Sequence, residues 1–262
     1  MSDIHQGTYR NPPLAYVVAE MVISPYYSIA AAMPAIQEQL RAAYPRTLEG
    51  TEVTIDPASP PNAQKIWHLI SPDELRGVSI GSRSVALHST RYIDSGEFLT
   101  AWDEVLAVID RVLDNVFVER VGLRYIDFIV PSEGRSPLDY VTESVRGIQF
   151  PMAGNLESNF WSGTYGSQGS QINARIAAPA PAGMVFPPNF NALPLQKPKI
   201  WQQADAHVNT KRKIGFIDTD ALQQVNKVFL AATISKLFRE LKSQISSTFR
   251  VLMSETAKEE WI

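Results

Sequence analysis

Phe117-Val118-Glu119-Arg120-Val121-Gly122-Leu123-Arg124-Tyr125-Ile126-Asp127-Phe128-Ile129-Val130, closed by Pro131, is the stretch on which the fold turns. Both alternating faces are largely apolar and β-branched or aromatic residues are frequent, so it reads as a strand buried on both sides. Alternation puts Arg124 with Ile126 and Phe128, and Asp127 with Tyr125 on the opposite face. Arg124 and Asp127 are therefore poor partners for each other. A charge inside such a strand reaches an edge, pairs, or serves a site. A structural ion pair is the favoured reading, with Glu20 the expected partner of Arg124.

Glu20 lies in a second run of the same kind, Leu14 to Ser24, which follows Asn11-Pro12-Pro13. Tyr16, Val18, Glu20 and Val22 share one face and Ala15, Val17, Ala19, Met21 and Ile23 the other, as expected of a central strand. Between the two runs, Pro34, Ile36 and Leu40 predict a helix with Pro34 in its first turn, ending before Pro45. Thr47 to Asp56, Gln64 to Ile70 and Gly77 to Thr90 read as three strands. Ser71-Pro72-Asp73-Glu74 between them is either one helical turn or a hairpin turn. In Gly96 to Asn115, Phe98, Trp102, Val105, Ile109 and Val112 recur at helical spacing.

Beyond Val130 the order recurs. A short helix is expected near Leu138 to Val145. Strands are expected at Asn155 to Tyr165, Gln171 to Ala178 and Lys199 to Thr210. A last helix is expected from Asp220, with the stripe Ile234, Leu237, Leu241, Ile245, Phe249 and Leu252. The expected fold class is α+β. It consists of duplicated β-α-β-β-β-α (ferredoxin-like, split) units, 1–116 and 117–262, with antiparallel-rich sheets and helices on one face. Together they are expected to form one fused globular domain. Residues 178–198 interrupt the pattern with six prolines, punctuated by Phe186 and Phe190. They read as a surface loop or as an extended arm for a partner.

The 262 residues carry 24 Lys and Arg against 27 Asp and Glu, a formal charge of −3. That balance argues against a nucleic-acid binder. There is no cysteine, which excludes disulfides, thiolate ligands and a cysteine nucleophile. Met1 to Arg10 has no apolar signal core and no run is long enough to span a bilayer, so the expected location is the cytoplasm.

No catalytic or metal motif stands out. His5, His68, His88 and His207 lie far apart in the chain, without the spacing of a local metal site. The last three fall in predicted strands. Asp218-Thr219-Asp220 could hold a divalent ion, but Asp220 with Gln223 reads better as the capping box of the last helix. Lys211-Arg212-Lys213 reads as a solvated turn. Gly163, Gly166 and Gly169 belong to a hairpin rather than a phosphate loop. No cofactor is expected.

Several of these residues together resemble a sporadically distributed, largely uncharacterised family of bacterial proteins of about this whole length. They are Asn11-Pro12-Pro13 before a strand, Pro34, Ile36 and Leu40 leading to Tyr44-Pro45, and Tyr92 six before Phe98. The block Val121 to Asp127 and Asp218-Thr219-Asp220 complete the set. Asp127 stands where the resemblance implies asparagine, and Ser95 where it implies a tryptophan near Tyr92. The patchy distribution implies mobile, accessory genes such as phage-defence or toxin–antitoxin neighbourhoods.

The functional expectation is a non-enzymatic interaction protein, a component of such an assembly, with Phe186 and Phe190 on its arm and another protein or a second copy as partner. The alternative is a small-molecule effector-binding module with a cleft between the halves. The unit order resembles the effector-binding domains of multidrug-responsive regulators. Glu20, Trp67, Arg124, Tyr125 and Trp161 are the candidate contacts. A third reading, an RNA-directed protein, needs His68 or His88 as a base.

Overall fold

The computed structural model describes residues 13–54, 62–148, 150, 154, 156–167, 169–181 and 194–261. The two runs buried on both faces are the two middle strands of the molecule. β1 (Leu14–Ile23) and β6 (Phe117–Ile129) pair antiparallel, with Val17 opposite Tyr125 and Glu20 opposite Gly122. β2 (Arg46–Thr54), β3 (Asn62–Ile70), β4 (Arg76–Gly81) and β5 (Ser84–Ser89) continue the sheet on the β1 side. β7 (Phe160–Ser167), β8 (Ser170–Ala177) and β9 (Gly215–Val228) continue it on the β6 side. The result is one nine-stranded sheet in the order β2-β3-β4-β5-β1-β6-β9-β8-β7, in which every neighbouring pair is antiparallel.

Three helices cover one face. α1 (Ile29–Leu40) buries Ile29, Met33, Ile36 and Leu40 at spacings of three and four. α2 (Ser95–Val112) starts at Asp94, whose side chain accepts the Glu97 backbone N–H at 2.8 Å. Glu97 in turn accepts both of its hydrogen bonds from the Arg76 guanidinium, at 2.7 Å, which fixes the helix start to β4. α4 (Ala231–Leu252) lays Ile234, Phe238, Leu241, Ile245, Phe249 and Leu252 on the sheet. Trp102 of α2 meets Phe238 of α4 edge-on, with centroids 5.3 Å apart, at the centre of the main core.

A smaller core at one end joins Tyr140 and Val141, near two 3₁₀ turns, to Phe249, Leu252 and Trp261 of α5 (Glu255–Trp261). The other face of the sheet carries only α3 (Lys199–Asn209) among the described helices. Trp201 and Ala204 of α3 pack on Ala15, Tyr16, Ile126 and Phe128 and cover one end of that face. No described helix is long and apolar enough to cross a membrane.

Several sequence expectations change. Lys199 to Thr210 is the helix α3, not a strand, and His207 lies on it. The two buried residues Trp201 and Ala204 stand three apart, which is helical spacing, and Pro198 suits a helix entry. Gly77 to Thr90 is a hairpin of β4 and β5, turned at Ser82 and Arg83. Pro34 falls inside α1 rather than in its first turn. Ser71 to Glu74 is the β3–β4 turn, where the Ser71 hydroxyl donates to Asp73 at 2.7 Å.

Asp220 does not cap the last helix. It sits within β9, and α4 begins at Ala231. β9 bonds β6 on one side and β8 on the other. A helix beginning at Asp220 would strand the inner edges of both neighbours, and unpaired buried backbone is costly. Phe186 and Phe190 lie outside the described residues.

Candidate ligand-binding cleft on the open face of the sheet

Strand alternation builds this site. On the face away from α1, α2 and α4, β1 presents Tyr16, Val18 and Glu20, and β5 presents Ala86 and His88. β6 adds Arg120, Gly122, Arg124 and Ile126, and β9 adds Asp220 and Leu222. Register aligns them in rows. His88 faces Val18, Val18 faces Arg124, Arg124 faces Asp220 and Asp220 faces Asn173. The next row is Ala86, Glu20, Gly122, Leu222. With glycine at the middle of that row, the floor dips at the β1–β6 seam. A Cβ on Gly122 would come within 2.9 Å of Leu222 Cδ2. The cavity so formed has a volume of about 160 Å³.

Its charges are fixed. Arg124 donates through Nε to Asp218 Oδ1 at 2.7 Å and through Nη2 to Asp218 Oδ2 at 2.6 Å, a bidentate pair. Arg175 of β8 donates to the same carboxylate at 3.1 Å. Asp218 is buried, so the expected partnership of Arg124 with Glu20 is replaced by a diagonal one across the β6–β9 ladder. Glu20 instead lies 3.6 Å from Arg120. Asp220 is half-buried, and burial raises its carboxyl pKa against the opposing pull of Arg124.

The other wall is an uncharged hydrogen-bonded pair. Tyr16 Oη and His88 Nδ1 are 2.5 Å apart. Burial, helped by the nearby His68, pulls the His88 imidazole down to about 3, so it is neutral at physiological pH. Burial holds the Tyr16 hydroxyl well above its usual range. His88 Nε2 is buried and has no hydrogen-bond partner among the described residues. When the Tyr16 hydroxyl donates to Nδ1, Nε2 carries the hydrogen and is a donor without an acceptor. No group here is poised as a nucleophile. The arrangement offers fixed hydrogen-bonding groups and charges to a guest.

No family model, curated protein or solved structure is similar enough to this chain to count as a match.

Of the five contacts expected from sequence, the cleft brings together Glu20 and Arg124 only. Trp67 lies on the helix-covered face, where its indole donates to Glu49 at 3.3 Å. Tyr125 is also on that face, edge-on to Tyr92 at 5.7 Å. Trp161 packs beside the smaller core near the β7 edge. Sequence reasoning missed Tyr16, Arg120, Asp218 and Asp220 as neighbours of the site. The signal for Tyr16 and Arg120 lies in the alternation of β1 and β6. Reading Asp218 and Asp220 as a helix entry removed them from the strand. Among the described residues, no group of three or more His, Asp or Glu side chains could hold a metal ion.

Replacing Arg124 with Met is expected to lower unfolding free energy by about 2–3 kcal/mol, because buried Asp218 then keeps only Arg175. Urea unfolding of Arg124→Met, Asp218→Asn and the double variant checks this. Strong non-additivity is the expected result for a coupled pair.

Proposed function

We propose that this chain is a small-molecule-binding module, and that its site is the cleft at the β1–β6 seam. The buried, unpartnered His88 Nε2 on the wall of that cavity carries the reading. A native fold rarely leaves a buried polar atom unsatisfied without a reason, and a bound molecule is one such reason. The cavity is about the size that holds one ring or a small branched acid. An acceptor oxygen for His88, with Arg120 at the other wall, favours a small carbonyl- or carboxylate-bearing compound. Glu20 and Asp220 leave room for an amine on the same molecule.

The topology supports two units as the origin of the seam. Each half starts with a central strand, β1 or β6. Its last strand, β5 or β9, lies beside that central strand, and its second strand, β2 or β7, lies at the edge. The halves would then meet where the cleft opens. The interaction reading has less support. The apolar stripe of α4 is buried on the sheet and offers no dimer seam.

A thermal-shift screen of small carboxylates, keto acids and amino acids tests the proposal. A ligand at a hundred times its Kd adds about 2.7 kcal/mol, and a chain of this size gains about 2–4 °C per kcal/mol. Hits should therefore raise Tm by roughly 5–10 °C. Val18→Phe, which fills the cleft, should abolish the shift. A hit unaffected by Val18→Phe would place the binding elsewhere.

A further inference from the structure

On the opposite face of β6, under α4, lies a second cavity of about 60 Å³. Its polar lining is Asp127 and Tyr125 of β6, Thr219 of β9 and Ser246 of α4, and Tyr92 stands at its side. The rest is apolar, including Leu14, Ile245 and Phe249.

Three observations set this cavity apart from ordinary core. Asp127 is 6% exposed, yet its carboxyl makes no hydrogen bond and no ion pair among the described residues. A buried acid of a stable fold is normally paired. The Tyr125 hydroxyl is buried and lies near that of Tyr92, but no hydrogen bond of good geometry forms among the described residues. The Thr219 hydroxyl is fully buried and also lacks a partner among the described residues. Three oxygen-bearing side chains from adjacent strands thus line one small space without satisfying one another.

We infer that this cavity is a second binding site, which takes the ammonium head of a small primary amine. An ammonium has three donors and no acceptor, which suits a carboxylate flanked by two hydroxyl oxygens. The aromatic rings of Tyr92 and Tyr125 add favourable contact for a cation. A hard metal ion is a worse fit, since it takes six or more oxygens, whereas the remaining lining here is hydrocarbon. At about 30 Å³ per water, the space equals about two waters, or an ammonium with one or two carbons. Leu14 and Tyr92 also line a wider groove of about 830 Å³, which gives a longer amine's tail a way out.

Burial and the charge of Asp218 hold the Asp127 carboxyl pKa well above the usual range. A neutral amine takes any proton on the Asp127 carboxyl directly, whereas an ammonium displaces it to solvent; either way carboxylate and ammonium end in contact. No other reactant is needed.

Calorimetric titration with ethylamine hydrochloride tests the site, with sodium chloride at equal ionic strength as the blank. Saturable binding is expected, weakened at least tenfold by Asp127→Asn and several-fold by Thr219→Val. Val18→Phe, which fills the other cleft, should leave it intact, so this inference can fail or hold independently of the open-face reading. Tetramethylammonium, which has no N–H donor, should not bind. If the cavity holds only water, ethylamine gives no saturable heat and Asp127→Asn does nothing but raise stability. That outcome overturns the inference, as does binding that Asp127→Asn and Thr219→Val leave unchanged. Thr219→Val keeps the test decisive should Asp127→Asn fail to fold.

Discussion

Trp102→Ala should lower the free energy of unfolding by about 3–5 kcal/mol, the largest single-residue cost expected in this chain. Trp102 is fully buried on α2 and meets Phe238 of α4 edge-on at 5.3 Å. Truncation removes the largest fully buried side chain from the contact between the two helices, and a close-packed core collapses only partly into the gap. One element works in the opposite direction. The indole Nε1–H is buried without a partner among the described residues, so Trp102→Phe removes an unsatisfied donor along with part of the ring. Trp102→Phe should therefore cost much less than its lost volume suggests. Urea denaturation of both variants measures the difference. An alanine cost below about 1 kcal/mol would mean that the α2–α4 contact is not the centre of the core.

The second large effect is a loss of stability in acid that traces to His88. Its imidazole titrates near 6.5 when exposed and at about 3 in the fold. A lowered native value means that the unfolded chain binds the proton first. The stability it contributes is complete above about pH 6.5 and falls as pH drops toward 3, at about 1.4 kcal/mol per pH unit. Over that window the loss amounts to several kcal/mol. Asp127 acts with the opposite sign. Its raised native pKa means that the fold keeps the proton longer, so its cost appears as pH rises above the usual carboxylate range. The two slopes oppose each other between about pH 4 and 6.5, so urea midpoints measured between pH 4 and 8 should fall with acid most steeply in Asp127→Asn, where His88 acts alone. They should fall less in His88→Phe, while Asp127→Asn should gain most at the alkaline end. A wild-type slope unchanged by His88→Phe would show that His88 is not buried neutral.

Much of this architecture was legible in the chain. In β1 and β6 both alternating sets of residues are largely apolar, the mark of a two-faced central strand, and they form the middle of the sheet. The same alternation placed Arg124 and Asp127 on opposite faces, where they now line two different cavities. The stripe from Ile234 to Leu252 also describes the buried side of α4. What could not be read was set by distant partners. Asp220 and Gln223 have the local spacing of a helix cap, and only the ladders to β6 and β8 hold them in a strand. The choice of Asp218 over Glu20 as the partner of Arg124 depends on strand order. Sequence periodicity assigns faces and does not assign neighbours. His88 looked like an ordinary strand histidine, because its bond to Tyr16 joins residues 72 apart.

That the β1–β6 cleft holds a small molecule is tested most directly by native mass spectrometry of the protein purified from its own host. The expected spectrum shows the chain carrying a small additional mass that denaturation releases and that Val18→Phe lacks. A bare chain that also gives no hit in the ligand screen, or a chain whose only companion is a second polypeptide, would contradict it.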